Sequence, residues 1–200
     1  MLLLGPTGAG KTPLGDALAR HGLWGRRCAH FDFGAQLRRL VEVDRPDDVA
    51  GADDLAVLRR VLQTGALLED EQLPLALRIV DAFLAAHCPQ PSTLVVLNGL
   101  PRHRGQAEGI RPLLDVTTVA LLECSPEVVL GRIAGNVGGD RTARADDDRE
   151  AVRRKLDIFR ERTEPLVDYY RRAGARIERI AVTAAMTPDD ARAELESRGE

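Results

Sequence analysis

The sequence is short of lysine, of cysteine and of long apolar runs, and each shortage excludes something. Lys11 and Lys155 are the only lysines among 28 basic residues, the rest being arginine. Most of that bias is compositional, as in a GC-rich coding sequence, yet it singles out the two positions that keep lysine. Cysteine occurs three times, at Cys28, Cys88 and Cys124, widely spaced and without a CxxC pair. That spacing argues against a zinc knuckle or a disulfide framework and fits a reduced intracellular chain. The apolar stretch 1–4 is too short for a signal peptide, and no segment is long enough to span a membrane. Neither sign of charge dominates. With 28 basic and 31 acidic residues the net charge is -3 and the pI near 5.9, which points to neither nucleic acid nor a membrane surface as partner. A cytoplasmic protein is expected, a monomer as far as the sequence speaks, with any basic site confined to one locality.

What is present is ordinary globular material: 200 residues, 44% hydrophobic and 30% charged, enough for one domain with a sizeable core. Apolar runs at 1–4, 28–32, 93–97, 116–122 and 176–182 read as strands. The middle runs are almost continuously apolar, as strands buried on both faces are. Helical patterns cover 11–20, 34–43, 53–63, 68–87, 103–112, 126–134, 147–173 and 188–197. Ser125-Pro126 and Thr187-Pro188 each read as an N-cap followed by proline in the first turn. Strand and helix alternate throughout, so the expected fold is α/β, a five-stranded parallel sheet with helices on both faces, in a single domain spanning 1–200. The stretch 44–54 is acidic and turn-rich, a loop or helix junction. Residues 135–148 mix glycine, arginine and aspartate, as a solvated loop would, or one that folds over an anion.

Gly5-Pro6-Thr7-Gly8-Ala9-Gly10-Lys11-Thr12 matches GxxxxGK[ST] and lies between the first strand and the first helix. Glycines there let successive N–H groups turn toward phosphate oxygens, assisted by the positive end of the helix. Gly5, Gly8, Ala9, Gly10, Lys11 and Thr12 are therefore expected to bind ATP. Lys11 would bridge the β- and γ-phosphates, and the Thr12 hydroxyl would face Mg2+. Pro13 falls in the first helical turn, where its missing N–H costs little.

Further motifs narrow the acceptor. Asn98-Gly99-Leu100-Pro101-Arg102 followed by Gln106-Ala107 resembles the DGFPR…QA element of the adenylate kinase and nucleoside-monophosphate kinase family. His30 to Arg38 (HFDFGAQLR) is similar to that family's HxSTGDLLR segment, and Gly65 to Glu71 (GALLEDE) to its GxLVPDE segment. Arg144-Ala145-Asp146-Asp147 resembles its GRxDD element, and Thr163 to Tyr170 (TEPLVDYY) its TxPLIxYY helix. The resemblance spans nearly the whole chain. It implies a P-loop NTPase-type three-layer fold, a monophosphate-binding segment near 32–65 and a short lid near 134–148 without the cysteines of the zinc-carrying form.

Carried over residue by residue, the resemblance makes Arg38 and Arg102 the grip on the monophosphate, with Phe33, Gly34, Gly99 and Gln106 around it. Arginine suits this work because its fork holds phosphate bidentately and keeps its charge. Gln106 both donates and accepts, which suits the edge of adenine. Arg144 would descend from the lid onto the transferring phosphoryl group, and Lys155 stands where the post-lid helix of the family carries an arginine. Arg132 would contact ATP from the helix before the lid. Arg141 could touch ligand or solvent, and Asp146 and Asp147 fit capping and lid organisation better than metal binding.

Departures from the pattern are informative. Asn98 replaces the aspartate that in the family orients the magnesium water shell, so metal affinity or rate would fall, with Thr12 left to face the ion and Asn98 reaching it through water. Phe33 and Ala35 replace threonine and aspartate near the monophosphate base; Phe33 either stacks on a base or belongs to the core. Lys155 keeps a charge but lacks the arginine fork. The expected activity is transfer of the ATP γ-phosphate to a nucleoside monophosphate, AMP first among acceptors. The alternatives are a kinase of another monophosphate or small molecule, or a nucleotide-binding sensor with weakened catalysis. Small nucleotides, not nucleic acid or membrane, are the expected partners.

Overall fold

A computed structural model gives the architecture and describes residues 1–88, 90–135, 139 and 149–199. Among these, five parallel strands form one sheet in the order β2-β3-β1-β4-β5: β1 (Leu2–Leu4), β2 (Cys28–Asp32), β3 (Leu94–Asn98), β4 (Thr118–Glu123) and β5 (Arg176–Ala181). All five strands read from apolar runs are present. The inner strands are buried along almost their whole length, the edge strand β2 alternates, and the edge strand β5 is buried only at Ile180.

Period-two side-chain alternation divides the core into two layers. Leu2, Leu4, Phe31, Leu97, Val119 and Leu121 face one, packed against α4 (Leu73–His87), α5 (Arg104–Ile110) and α8 (Leu166–Arg172). Leu3, Val96, Ala120, Leu122 and Ile180 face the other, against α1 (Lys11–His21) and α9 (Pro188–Glu196). The sheet is thus the middle of three layers. Ser125 and Thr187 cap α6 (Pro126–Ala134) and α9 as their positions just before proline imply. The acidic junction falls between α2 (Phe33–Val43) and α3 (Ala52–Thr64).

Two helical patterns extend too far when read from periodicity alone. The stretch 68–87 begins instead with an extended Glu69 and a single 3-10 turn, Asp70–Gln72, before α4, whose first turn holds Pro74. The stretch 147–173 divides into α7 (Arg149–Ile158), a π turn over Phe159–Thr163 and α8. Pro165 cannot donate to the helical ladder, and the Glu164 N–H reaches back to the Phe159 carbonyl at 2.8 Å. Both breaks lie beside the cleft described next. No helix among the described residues is long and apolar enough to cross a membrane. The cysteines are free thiols, and burial pushes that of Cys28 up to about 11.

Candidate active site

In this order β1 connects to β2 on one side while its neighbour β3 connects to β4 on the other, so the connections from adjacent carboxyl ends diverge and open a crevice there. The glycine-rich loop closes the base of this crevice. Gly5 follows β1 so closely that a Cβ would sit 2.7 Å from the Leu122 carbonyl oxygen, and Gly10 caps α1 at φ 94°. The buried Ala9 donates its N–H to the Pro6 carbonyl at 3.3 Å, which tightens the turn, and its methyl group belongs to the core. Lys11 folds over its own loop, Nζ donating to the carbonyls of Gly5 (2.7 Å) and Pro6 (2.8 Å). Thr12, in the first turn of α1, donates its hydroxyl to Asp32 Oδ2 at 2.6 Å.

Parallel register puts Asp32 at the end of β2 beside Asn98 at the end of β3. The Asn98 amide donates to both Thr12 Oγ1 and Asp32 Oδ2, each at 3.0 Å. Its NH2 must face this way, since its carbonyl would oppose a carboxylate. The other Asp32 oxygen caps α2 by accepting the Ala35 N–H at 2.9 Å. Reading by motif passes over Asp32. The signal is there: a carboxylate at the serine position of the HxSTGDLLR-like segment, paired with asparagine at the aspartate position of the DGFPR-like one.

The far wall holds the expected monophosphate residues. Arg102 follows β3 with its backbone clamped on both sides: its N–H donates to Gln106 Oε1 and its carbonyl accepts from Thr163 Oγ1, each at 2.8 Å. Its guanidinium makes no hydrogen bond or ion pair among the described residues, although burial lowers its pKa from the ordinary value. A cation desolvated without a protein partner is prepared for an anion from outside. Arg38, also without a partner among the described residues, lies over Gly34, where an added Cβ would come within 3.3 Å of Nη1. The π turn contributes Phe159 and Thr163 to the wall, which motif comparison did not assign.

Gln106 reaches the cleft, but its polar atoms are already engaged, Nε2 with the Leu68 carbonyl (2.8 Å) and Oε1 with Arg102. A base edge would meet a side chain locked in orientation, with one N–H and one lone pair remaining. Gln106→Leu is expected to destabilise the fold by about 1–3 kcal/mol, because the Arg102 N–H loses its acceptor; urea denaturation measures this. Phe33 belongs to the core, 5% exposed with its ring 6.0 Å from Phe31, and it borders the cleft with its Cβ beside Gly99.

Lys155 lines the cleft from α7, its Cε within 3.5 Å of where a Gly65 Cβ would stand, while Arg153 and Arg154 are turned to solvent. Arg132 borders the cleft beside Gly10, and Nη1 donates to the carbonyls of Thr183 and Met186, each at 2.8 Å. Much of that guanidinium therefore anchors the loop after β5. Across the rim, Arg162 grips Glu69 with two 2.8 Å bonds and holds its carboxyl below the usual range. Arg141, Arg144, Asp146 and Asp147 lie outside the described residues, as does most of the 134–148 segment.

A phosphate loop, a clamped arginine and cations from several elements on one cleft define a P-loop phosphotransferase. No family model matches the chain. Curated relatives do. It is 34% identical to an adenylate kinase of Synechococcus sp. (strain WH7803), over 88% of this chain and 87% of that one. It is 33% identical to an adenylate kinase of Deinococcus deserti over 85% and 82%, and 32% identical to one of Deinococcus radiodurans over 95% and 91%. The chain belongs to the adenylate kinase family.

Proposed function

We propose that this protein transfers the γ-phosphoryl group of ATP to AMP, giving two molecules of ADP, reversibly. The observation that carries this is a single cleft joining the phosphate loop to the desolvated guanidinium of Arg102, which has no partner among the described residues. In that cleft the donor and acceptor phosphates would face one another.

In the reaction an AMP phosphate oxygen forms a bond to the γ-phosphorus as the bond to the β–γ bridging oxygen breaks. The acceptor oxygen is already ionised at neutral pH, so no side chain needs to remove a proton. The protein's work is positioning and neutralisation. The loop N–H groups of Gly8 to Thr12 and the start of α1 cradle the ATP phosphates. Lys11 exchanges the Gly5 and Pro6 carbonyls for β- and γ-oxygens. Arg38 and Arg102 hold the AMP phosphate, with segment 32–65 around the monophosphate. Lys155 and, from a lid at 134–148, Arg144 approach the transferring group, and Arg132 borders the donor. Closing that lid would exclude water and suppress hydrolysis.

The donor set also suits Mg2+. Thr12 and Asp32 present hard oxygen atoms, while no group of three His, Cys, Asp or Glu among the described residues forms a metal cage. This is the arrangement for an ion that arrives with nucleotide phosphates and keeps much of its water. When bound, the ion neutralises charge on the β- and γ-oxygens. The enzyme is read as a cytoplasmic monomer. Free thiols support this, as do large exposed hydrophobics limited, among the described residues, to Val43 and Leu130.

ADP production with ATP and Mg2+ over AMP, dAMP, CMP, UMP and GMP tests the reading. AMP, with dAMP behind it, is expected to be the acceptor turned over. Preference for another monophosphate would reassign the substrate, and ATP binding without turnover of any acceptor would overturn phosphotransfer.

A further inference from the structure

Asp32 is the only carboxylate among the described residues that line the cleft, set against Lys11, Arg38, Arg102, Arg132 and Lys155. A lone anion among cations would ordinarily be neutralised by one of them, as Glu69 is by Arg162. Asp32 is not. Its partners among the described residues are the Thr12 hydroxyl, the Asn98 amide and the Ala35 N–H. Each fixes the orientation of the carboxylate and none removes its charge.

We propose that Asp32, on β2, supplies the carboxylate facing the nucleotide's magnesium ion, and that Asn98 on β3 is an orienting amide because that charge has moved one strand over. The inference rests on the ATP-dependent phosphotransfer proposed above. Two observations carry it. First, Oδ2 of Asp32 is bonded directly to the hydroxyl of Thr12, the last residue of the phosphate loop, so carboxylate and hydroxyl form one patch of hard oxygen at the phosphate end of the cleft. Second, the in-register neighbours Asp32 and Asn98 approach within 3.0 Å. An aspartate at 98 would set two carboxylates that close, a repulsion that asparagine avoids: its NH2 donates to Asp32 and adds no charge of its own. Asn98 therefore does not mark a weakened site.

The test compares ATP affinity with magnesium and with EDTA by calorimetry, for the wild type and for two variants. Asp32→Asn retains an N-cap acceptor for α2 and the shape of the side chain while removing the charge. Its ratio of magnesium to EDTA affinity is expected to fall by about 10–100-fold through a loss of affinity with magnesium, while affinity in EDTA holds or rises, since a negative charge beside the phosphates is gone. The exchange variant Asp32→Ser with Asn98→Asp returns one charge to the β3 position, and is expected to recover the ratio to within about threefold of the wild type. A merely capping Asp32 would leave the ratio unmoved in Asp32→Asn, which would sink the inference. So would an exchange variant that binds ATP in EDTA normally yet gains nothing from magnesium. A wild type that fails to bind ATP even in EDTA is a different result and removes the phosphotransfer reading itself.

Discussion

Lys11→Met is expected to lower kcat by about 10³-fold, because it removes the only ammonium at the phosphate loop and with it a charge aimed where the transferring group becomes most negative. The ground-state contacts of Lys11 make this a selective probe. Its Nζ rests on the carbonyls of Gly5 and Pro6, charge-assisted bonds worth about 1.5–3 kcal/mol each when fully buried and less at this half-buried position. The melting temperature should accordingly fall little while turnover collapses. Steady-state kinetics with AMP and a thermal melt of the same preparation check both halves. Lys11→Arg is expected to rescue poorly, since a broad planar fork cannot replace a compact point charge in a loop this tight. Turnover within about tenfold of the wild type in Lys11→Met would remove the loop from the chemistry.

Arg102→Ala is expected to lower kcat/KM for the monophosphate by about 10²–10³-fold, on the order of 3–4 kcal/mol of transition-state stabilisation. The backbone of Arg102 is held by Gln106 and Thr163, so truncation empties one position without freeing the loop. The guanidinium is also desolvated without a partner among the described residues, a cost that a bound phosphate removes. Truncation should therefore leave stability unchanged or slightly raised, a sign opposite to that of most buried substitutions. Arg102→Lys, which keeps charge and loses the fork, should fall between the two. The defect belongs to the acceptor side: ATP affinity in EDTA should hold while the KM for the monophosphate rises. Unchanged kinetics in Arg102→Ala would take the residue out of the site.

These expectations depend on different amounts of structural knowledge. Lys11 was legible from the sequence, because a phosphate loop is a local device, one strand end, a glycine turn and a helix start within eight contiguous residues. Arg102 was legible as a cation after Gly-Leu-Pro, but its clamping by Thr163 across 61 positions was not. Helix breaks at Pro74 and Pro165 were partly legible. Proline marks where a ladder must change, while the choice of a π turn depends on packing at Phe159. Gln106 shows the reverse case. Its chemistry suits a base edge in isolation, and only its neighbours reveal that Arg102 and Leu68 already hold it.

The two lysines that the composition singled out both line the cleft, one from the phosphate loop and one from α7. The sequence by itself determined the parallel sheet, the phosphate loop and the family, because hydrophobic period and short motifs act over neighbouring residues. Only the tertiary structure decided which side chains share a charge. Asp32 and Asn98 are 66 residues apart and look like two unrelated departures until strand pairing sets them 3.0 Å from one another. Electrostatic energy depends on that separation in space, which no distance along the chain encodes.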